Sequence, residues 1–105
     1  MTENEIKLKA IAALTARRAD IDERLVSELL GEVIPGQFIV PAGAGPEEVG
    51  VALLTQLSDP LSALVSGFIT AFEAVAEAYD ETGAVPHTDE ILQELALRLA
   101  GDDLD

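Results

Sequence analysis

Residues 60–79 read PLSALVSGFITAFEAVAEAY. Within them Leu61, Val65, Phe68, Phe72, Val75 and Tyr79 follow one another at alternating spacings of four and three. That period places all six on one face of a helix. Leu64, Ile69 and Ala76 widen the seam. Phe38 is the one aromatic residue outside it, and aromatic rings bury the most area per residue. The far side carries Ser62, Ser66, Thr70, Glu73, Glu77 and Asp80, the composition of a solvated helix face. The stretch therefore predicts the helix against which the other segments pack, with the seam turned inward.

The segments on either side read as helices too. Asp59 and Pro60 supply an N-cap and a first helical residue, so the central helix is expected to begin there, after a shorter helix of about 11 residues has ended. That shorter helix starts at Pro46, with Glu47 and Glu48 complementing its dipole and Val49, Leu53, Leu54 and Leu57 on one face. Beyond the central helix, Ala84 to His87 form a connector. Thr88 is the expected cap of a last helix whose buried face is Ile91, Leu92, Leu95, Ala96 and Leu99, with Gly101 closing it. Residues 101–105, GDDLD, remain as an acidic tail.

At the N-terminus, Thr2 and Glu5 have capping-box spacing. Ile6, Ala10, Ile11 and Leu14 form one side of the first helix. The stripe Ile11, Leu14, Arg18, Ile21, Leu25 keeps its register toward Gly31, which predicts one long helix from about 3 to 31 with Arg18–Asp22 and Asp20–Arg24 as i,i+4 pairs. A second capping box, Asp20 with Glu23, offers the alternative of a break near residue 19. Residues 32–46 follow as a linker. Gln37 to Val40 is the one β-branched and aromatic run, expected as an extended apolar arm at about 33–41, as a short strand, or as a loop lying on the core. The expected architecture is all-α: a single domain over 1–105, built as a four- or five-helix bundle with a long N-terminal helix.

Composition narrows the chemistry. The chain of 105 residues has no cysteine, which removes disulfides, thiolate catalysis and Cys-based metal sites. The net charge is −14. Lys7, Lys9, Arg17, Arg18 and Arg24 balance the acids of residues 1–24, so the whole excess lies beyond, where Arg98 is the lone base. Such a chain is a poor direct ligand for phosphate backbones, and the charge serves first to keep an apolar chain in solution. The opening residues lack the apolar core of a signal peptide. The nearly uncharged run Leu61–Phe72 is short for a bilayer crossing. A cytoplasmic protein, or a part of a soluble assembly, is the expectation, without a membrane span.

No catalytic, cofactor or metal constellation emerges, so the expectation is a non-enzyme without cofactor. His87 stands alone near Asp89, without the partners that a catalytic or ligand histidine needs. Glu73, Glu77, Asp80 and Glu81 share a helix side but lack a calcium-loop pattern, and Pro41–Pro46 lacks the Lys-Ser/Thr of a phosphate loop.

The residues singled out are therefore candidates for contact. They are Phe38, Ile39 and Val40 in the arm; Arg17 and Arg18, the densest positive spot; and Ser66 with Gly67. These last two belong to a small-residue strip that also holds Ala63, Ala71, Ala74 and Ala78. That strip admits close approach either by a helix of the same chain or by an identical subunit. Three functions fit: a structural or adaptor subunit of a homo-oligomer or larger assembly, of the virion, tail or shell-associated kind by analogy; an acidic inhibitor or decoy bound to a basic nucleic-acid-binding protein; or a carrier of an apolar small molecule lined by Phe68, Phe72 and Tyr79.

Overall fold

A computed structural model describes residues 1–20 and 22–104. The fold is all-α, with four helices and no strand among the described residues: α1 Glu3–Arg18, α2 Glu23–Gly31, α3 Pro46–Glu81 and α4 Thr88–Leu104. The chain divides into two compact units, Met1–Ala71 and Phe72–Asp105.

In the first unit, Thr2 caps α1 as its sequence predicts, its hydroxyl accepting the Glu5 N–H at 3.1 Å. The long helix over 3–31 does not form. α1 stops at Arg18, and Asp20 takes a left-handed backbone (φ 55°), a conformation that Asp tolerates better than most residues. Asp22 then caps α2, its carboxylate accepting the Arg24 N–H at 2.9 Å. The cap is thus Asp22 and not Asp20. Two short helices with their own caps can pack on each other, which a single straight rod cannot, and α1 and α2 do pack together. The break also removes the i,i+4 geometry from Arg18–Asp22 and Asp20–Arg24, and neither pair is among the ion pairs of the described residues. Ile21 of the predicted stripe lies outside the described residues. Across the pair, the Lys9 ammonium meets the Glu32 carboxylate just past α2.

The second difference is a fusion. The helices predicted on either side of Asp59–Pro60 are one helix, α3, with Pro60 inside it. Proline cannot donate to the carbonyl four residues back, here that of Gln56, and a helix-interior proline costs about 3 kcal/mol. The helix nevertheless continues through it, and Val51, Leu54, Leu61, Val65 and Phe68 keep a single face across Pro60.

The third difference is the face that packs. On α1 the buried residues are Ile6, Ala10, Ala13 and Ala16, while Ile11 and Leu14 are exposed. On the first part of α3 they are Ala63 and Gly67. A Cβ placed on Gly67 would stand 2.8 Å from the Ala10 Cβ and 2.9 Å from the Lys7 Cα, so the two backbones touch there. The part of the small-residue strip at Ala63 and Gly67 is thus used within the chain, and Gly67, with Ser66 half-buried beside it, faces α1, while Ala74 and Ala78 are exposed. Ile6, Val33 and Ala63 close a small core, with Leu64 packed against it. Leu61 and Val65 of the predicted inward seam point outward.

The linker is held without strand pairing. The Ala44 N–H donates to the Pro41 carbonyl at 3.1 Å, and Gly43 (φ 76°) supplies the positive φ that this turn needs. The Gly45 carbonyl accepts the Val49 N–H, which starts α3 at Pro46 as predicted.

The second unit contains the end of α3, a connector and α4. Gly83 (φ 74°) terminates α3, its N–H donating to the Asp80 carbonyl at 3.1 Å. Thr88 is not the cap of α4 but its first helical residue. The His87 carbonyl accepts the Ile91 N–H, and the Asp80 carboxylate accepts the orphan Thr88 N–H at 2.9 Å. The predicted buried face of α4 is uncovered: Ile91, Leu92, Leu95, Ala96 and Leu99 are all exposed. Gly101 does not close α4, which runs on to Leu104; the four-residue acidic stretch Gly101–Leu104 is helical, and Asp105 lies outside the described residues.

Candidate functional site

What the helices leave exposed is chemically more substantial than what they bury. Among the described residues the buried apolar side chains are Ile6, Val33 and five alanines. Exposed on α3 of the first unit are Val51, Leu54, Leu61, Val65 and Ile69, each between 46 and 69% accessible. These lie roughly 150° around the helix from Ala63 and Gly67, at about 100° per residue. α3 therefore has two apolar faces: a narrow one of small side chains that its own α1 covers, and a broad one of branched side chains that nothing in the unit covers. Leu61, Val65 and Ile69, with Ser62 and Ser66, border a shallow groove of about 380 Å³.

A larger open cleft of about 900 Å³ adjoins this groove at Ser62 and Ser66 and is bordered also by Ile6, Val33, Ile34, Gln56, Pro60 and Ala63. Glu3, Glu32 and Asp59 are among its lining residues, with Lys7 paired to Glu3 and Lys9 to Glu32. The aromatic residues expected to line a ligand site, Phe68, Phe72 and Tyr79, are not part of it.

The arm is fixed next to that cleft by one side chain. The Gln56 amide accepts the Ile39 N–H at 2.8 Å and donates to the Ile39 carbonyl at 2.6 Å, matching both backbone groups of one residue. The same amide nitrogen donates to the Ala52 carbonyl at 3.0 Å. Phe38 is half-buried and Val40 exposed, while the Ile39 side chain, over its clamped backbone, is 83% accessible. No sequence signal singles out Gln56, because a lone amide on a helix surface has no preferred partner until the chain has folded.

Arg17 and Arg18 are both exposed and sit in the last turn of α1, where cations complement the helix dipole. They are brought together with neither the arm nor Gly67 by any hydrogen bond or ion pair among the described residues.

In the second unit Asp80 gathers the polar contacts. Its carboxylate accepts from the Thr88 N–H and, at 2.8 Å, from the Thr88 hydroxyl, with His87 Nδ1 at 3.8 Å. The Thr88 N–H and hydroxyl hold the Asp80 carboxyl below the usual carboxylate range, with His87 adding to them and desolvation opposing. Tyr79 donates its hydroxyl to the Pro86 carbonyl at 2.6 Å. These contacts build a helix corner. Among the described residues no three His, Asp or Glu side chains converge as metal ligands. The exposed apolar residues of this unit are Phe72, Val75, Val85 and the leucine-rich face of α4.

α3 also changes the membrane arithmetic. Fused to 36 residues, it is long and apolar enough to cross a bilayer by length and composition, where the run Leu61–Phe72 alone is not. No family model matches the chain, and no curated protein or solved structure matches it.

Proposed function

We propose that the chain is a non-enzymatic structural or adaptor subunit that acts through protein–protein contacts in a homo-oligomer or larger assembly. The observation that supports this reading is the inversion of side-chain size between inside and outside. Alanines fill the interior, while Val51, Leu54, Leu61, Val65 and Ile69 in one unit, and Leu92, Leu95 and Leu99 in the other, meet solvent. Single exposed apolar residues are ordinary, but contiguous stripes of them mark surfaces that another molecule covers. Light scattering on the purified chain tests it. A stable mass above that of one chain at tens of micromolar is expected, and a clean monomer with no partner in a pull-down overturns it.

The distribution of charge favours a second reading, an acidic ligand of a basic nucleic-acid-binding protein. Beyond residue 24 the lone base is Arg98. Binding that collapses between low and moderate salt is its signature.

A further inference from the structure

The exposed face of α3 has a register that names its partner. From Val51 onward the apolar positions fall on a strict seven-residue repeat. Val51, Ser58 and Val65 occupy position a; Leu54, Leu61 and Phe68 occupy position d. In the sequence the same register carries on through Phe72, Val75 and Tyr79. A seven-residue repeat is the pattern of a helix that packs along another helix of the same repeat. We infer that this seam is the contact between two copies of the chain, α3 against α3, parallel and in register. The inference rests on the assembly reading above and specifies its interface.

Four observations carry it. β-branched Val51 and Val65 at a, with Leu54 and Leu61 at d, are the combination that favours two parallel strands. The one polar residue in the seam, Ser58, stands at an a position, where a polar group fixes register. Leu61 at d and Val65 at a border the shallow groove, so the seam has a depression there. The flanking e and g positions from Gly50 to Ala71 are Gly50, Thr55, Leu57, Ser62, Leu64, Ile69 and Ala71, without a single charge in a chain of −14. The acid of this stretch, Asp59, is at b, off the seam. Two acidic copies therefore meet along a strip free of like-charge repulsion. A basic partner would find no acid there to pair with.

At about 150 Å² for a fully exposed side chain, the five exposed residues from Val51 to Ile69 present roughly 450 Å² per copy, or about 900 Å² in a pair, the size of a weak, reversible contact. A lipid occupant fits less well. The opposite face of this part of α3 touches the α1 backbone at Lys7, and α1 carries Glu3, Glu5, Lys7 and Lys9; Lys7 pairs with Glu3 and Lys9 with Glu32, but even paired charges are costly inside a bilayer.

The test uses the full chain, whose lack of cysteine makes any introduced one unique. Light scattering is expected to give twice the 11.1 kDa chain mass for the parent and for Thr70→Glu, which adds the same charge off the seam. Leu61→Glu and Val65→Glu are expected to fall to once that mass. Both residues are exposed in the single chain, so circular dichroism should retain the helices. Under mild oxidation Ser58→Cys is expected to form a covalent dimer, and Thr70→Cys is not. A parent oligomer indifferent to Leu61→Glu and Val65→Glu overturns the seam and leaves the assembly reading standing. A parent monomer without partner overturns both. Dissociation by Leu61→Glu with no cross-link through Ser58→Cys overturns the parallel pairing. Flotation of the parent with phosphatidylcholine vesicles, abolished by Leu61→Glu, overturns the inference in favour of a bilayer.

Discussion

Replacing Gly67 with alanine should destabilise the chain, although the same change elsewhere in α3 should stabilise it. Glycine inside a helix costs about 0.5–1 kcal/mol relative to alanine, so the intrinsic effect of Gly→Ala is a gain of that size. At Gly67 the new methyl would sit 2.8 Å from the Ala10 Cβ and 2.9 Å from the Lys7 Cα. The second contact is with backbone, which cannot rotate away, so α1 must move out. Overpacking of this kind costs about 1–3 kcal/mol. Subtracting the propensity gain leaves a net loss of up to about 2.5 kcal/mol, centred on about 1 kcal/mol, or a drop in Tm of roughly 4–8 °C at the centre. Gly50, in the same helix, has open space where its Cβ would be. Gly50→Ala should therefore raise Tm by a few degrees, the propensity gain alone. Thermal unfolding followed by circular dichroism, at one protein concentration for all three proteins, makes the comparison. If Gly67→Ala is as stabilising as Gly50→Ala, α1 does not lie against Gly67, and the assignment of the small-residue face to α1 is wrong.

Three further outcomes follow from particular contacts. Gln56→Ala removes both hydrogen bonds to the Ile39 backbone; at about 0.5–1.5 kcal/mol each in exposed surroundings, the expected readout is faster amide exchange at Ile39 with little change in helicity, and unchanged exchange refutes the clamp. Asp80 has a depressed carboxyl pKa in the folded chain, so its contribution is present above the unfolded carboxylate value and is lost as pH falls through the folded one; loosening of the α3–α4 corner below about pH 4, read from Thr88 exchange, should vanish in Asp80→Asn, and an identical acid profile in the variant contradicts it. Pro60→Ala should return a donor to the Gln56 carbonyl and remove a helix-interior proline, raising stability by about 2 kcal/mol after the lost rigidity of the unfolded chain is counted; a lower Tm would mean that the half-buried ring matters more to the cleft than the backbone does to the helix.

The elements of this fold are legible in the sequence, and so is one surprise within them. Helical period and the capping patterns at Thr2 and Pro46 locate α1 and the start of α3, and the glycine at 83 marks the end of α3. The strip through Gly67 is visible as well, because a glycine in mid-helix costs stability unless something needs its space. Hydropathy alone misassigns the inward face. It weighs Leu61, Val65 and Phe72 above Ala63 and Gly67, yet close backbone approach is set by small side chains, and the larger ones end up outside. The break at Asp20 and the fusion through Pro60 fail for a related reason. Local capping strength and proline chemistry are each worth a few kcal/mol at most, and whether α1 and α2 fold back on each other decides between the options. The contact residues Phe38, Ile39 and Val40 were legible as an apolar run, but their fixing by Gln56 was not, since it joins residues 17 apart in sequence.

The clamp on Ile39 has a consequence for how the chain behaves at high concentration. An extended apolar segment with free amide and carbonyl groups is a template for sheet growth between molecules, the first step toward fibrils. Gln56 occupies the amide and the carbonyl of Ile39 together, as a neighbouring strand would, and so denies that residue to an incoming chain. A single glutamine thereby acts as a stopper, letting a bare isoleucine face water without inviting its own kind to stack on it.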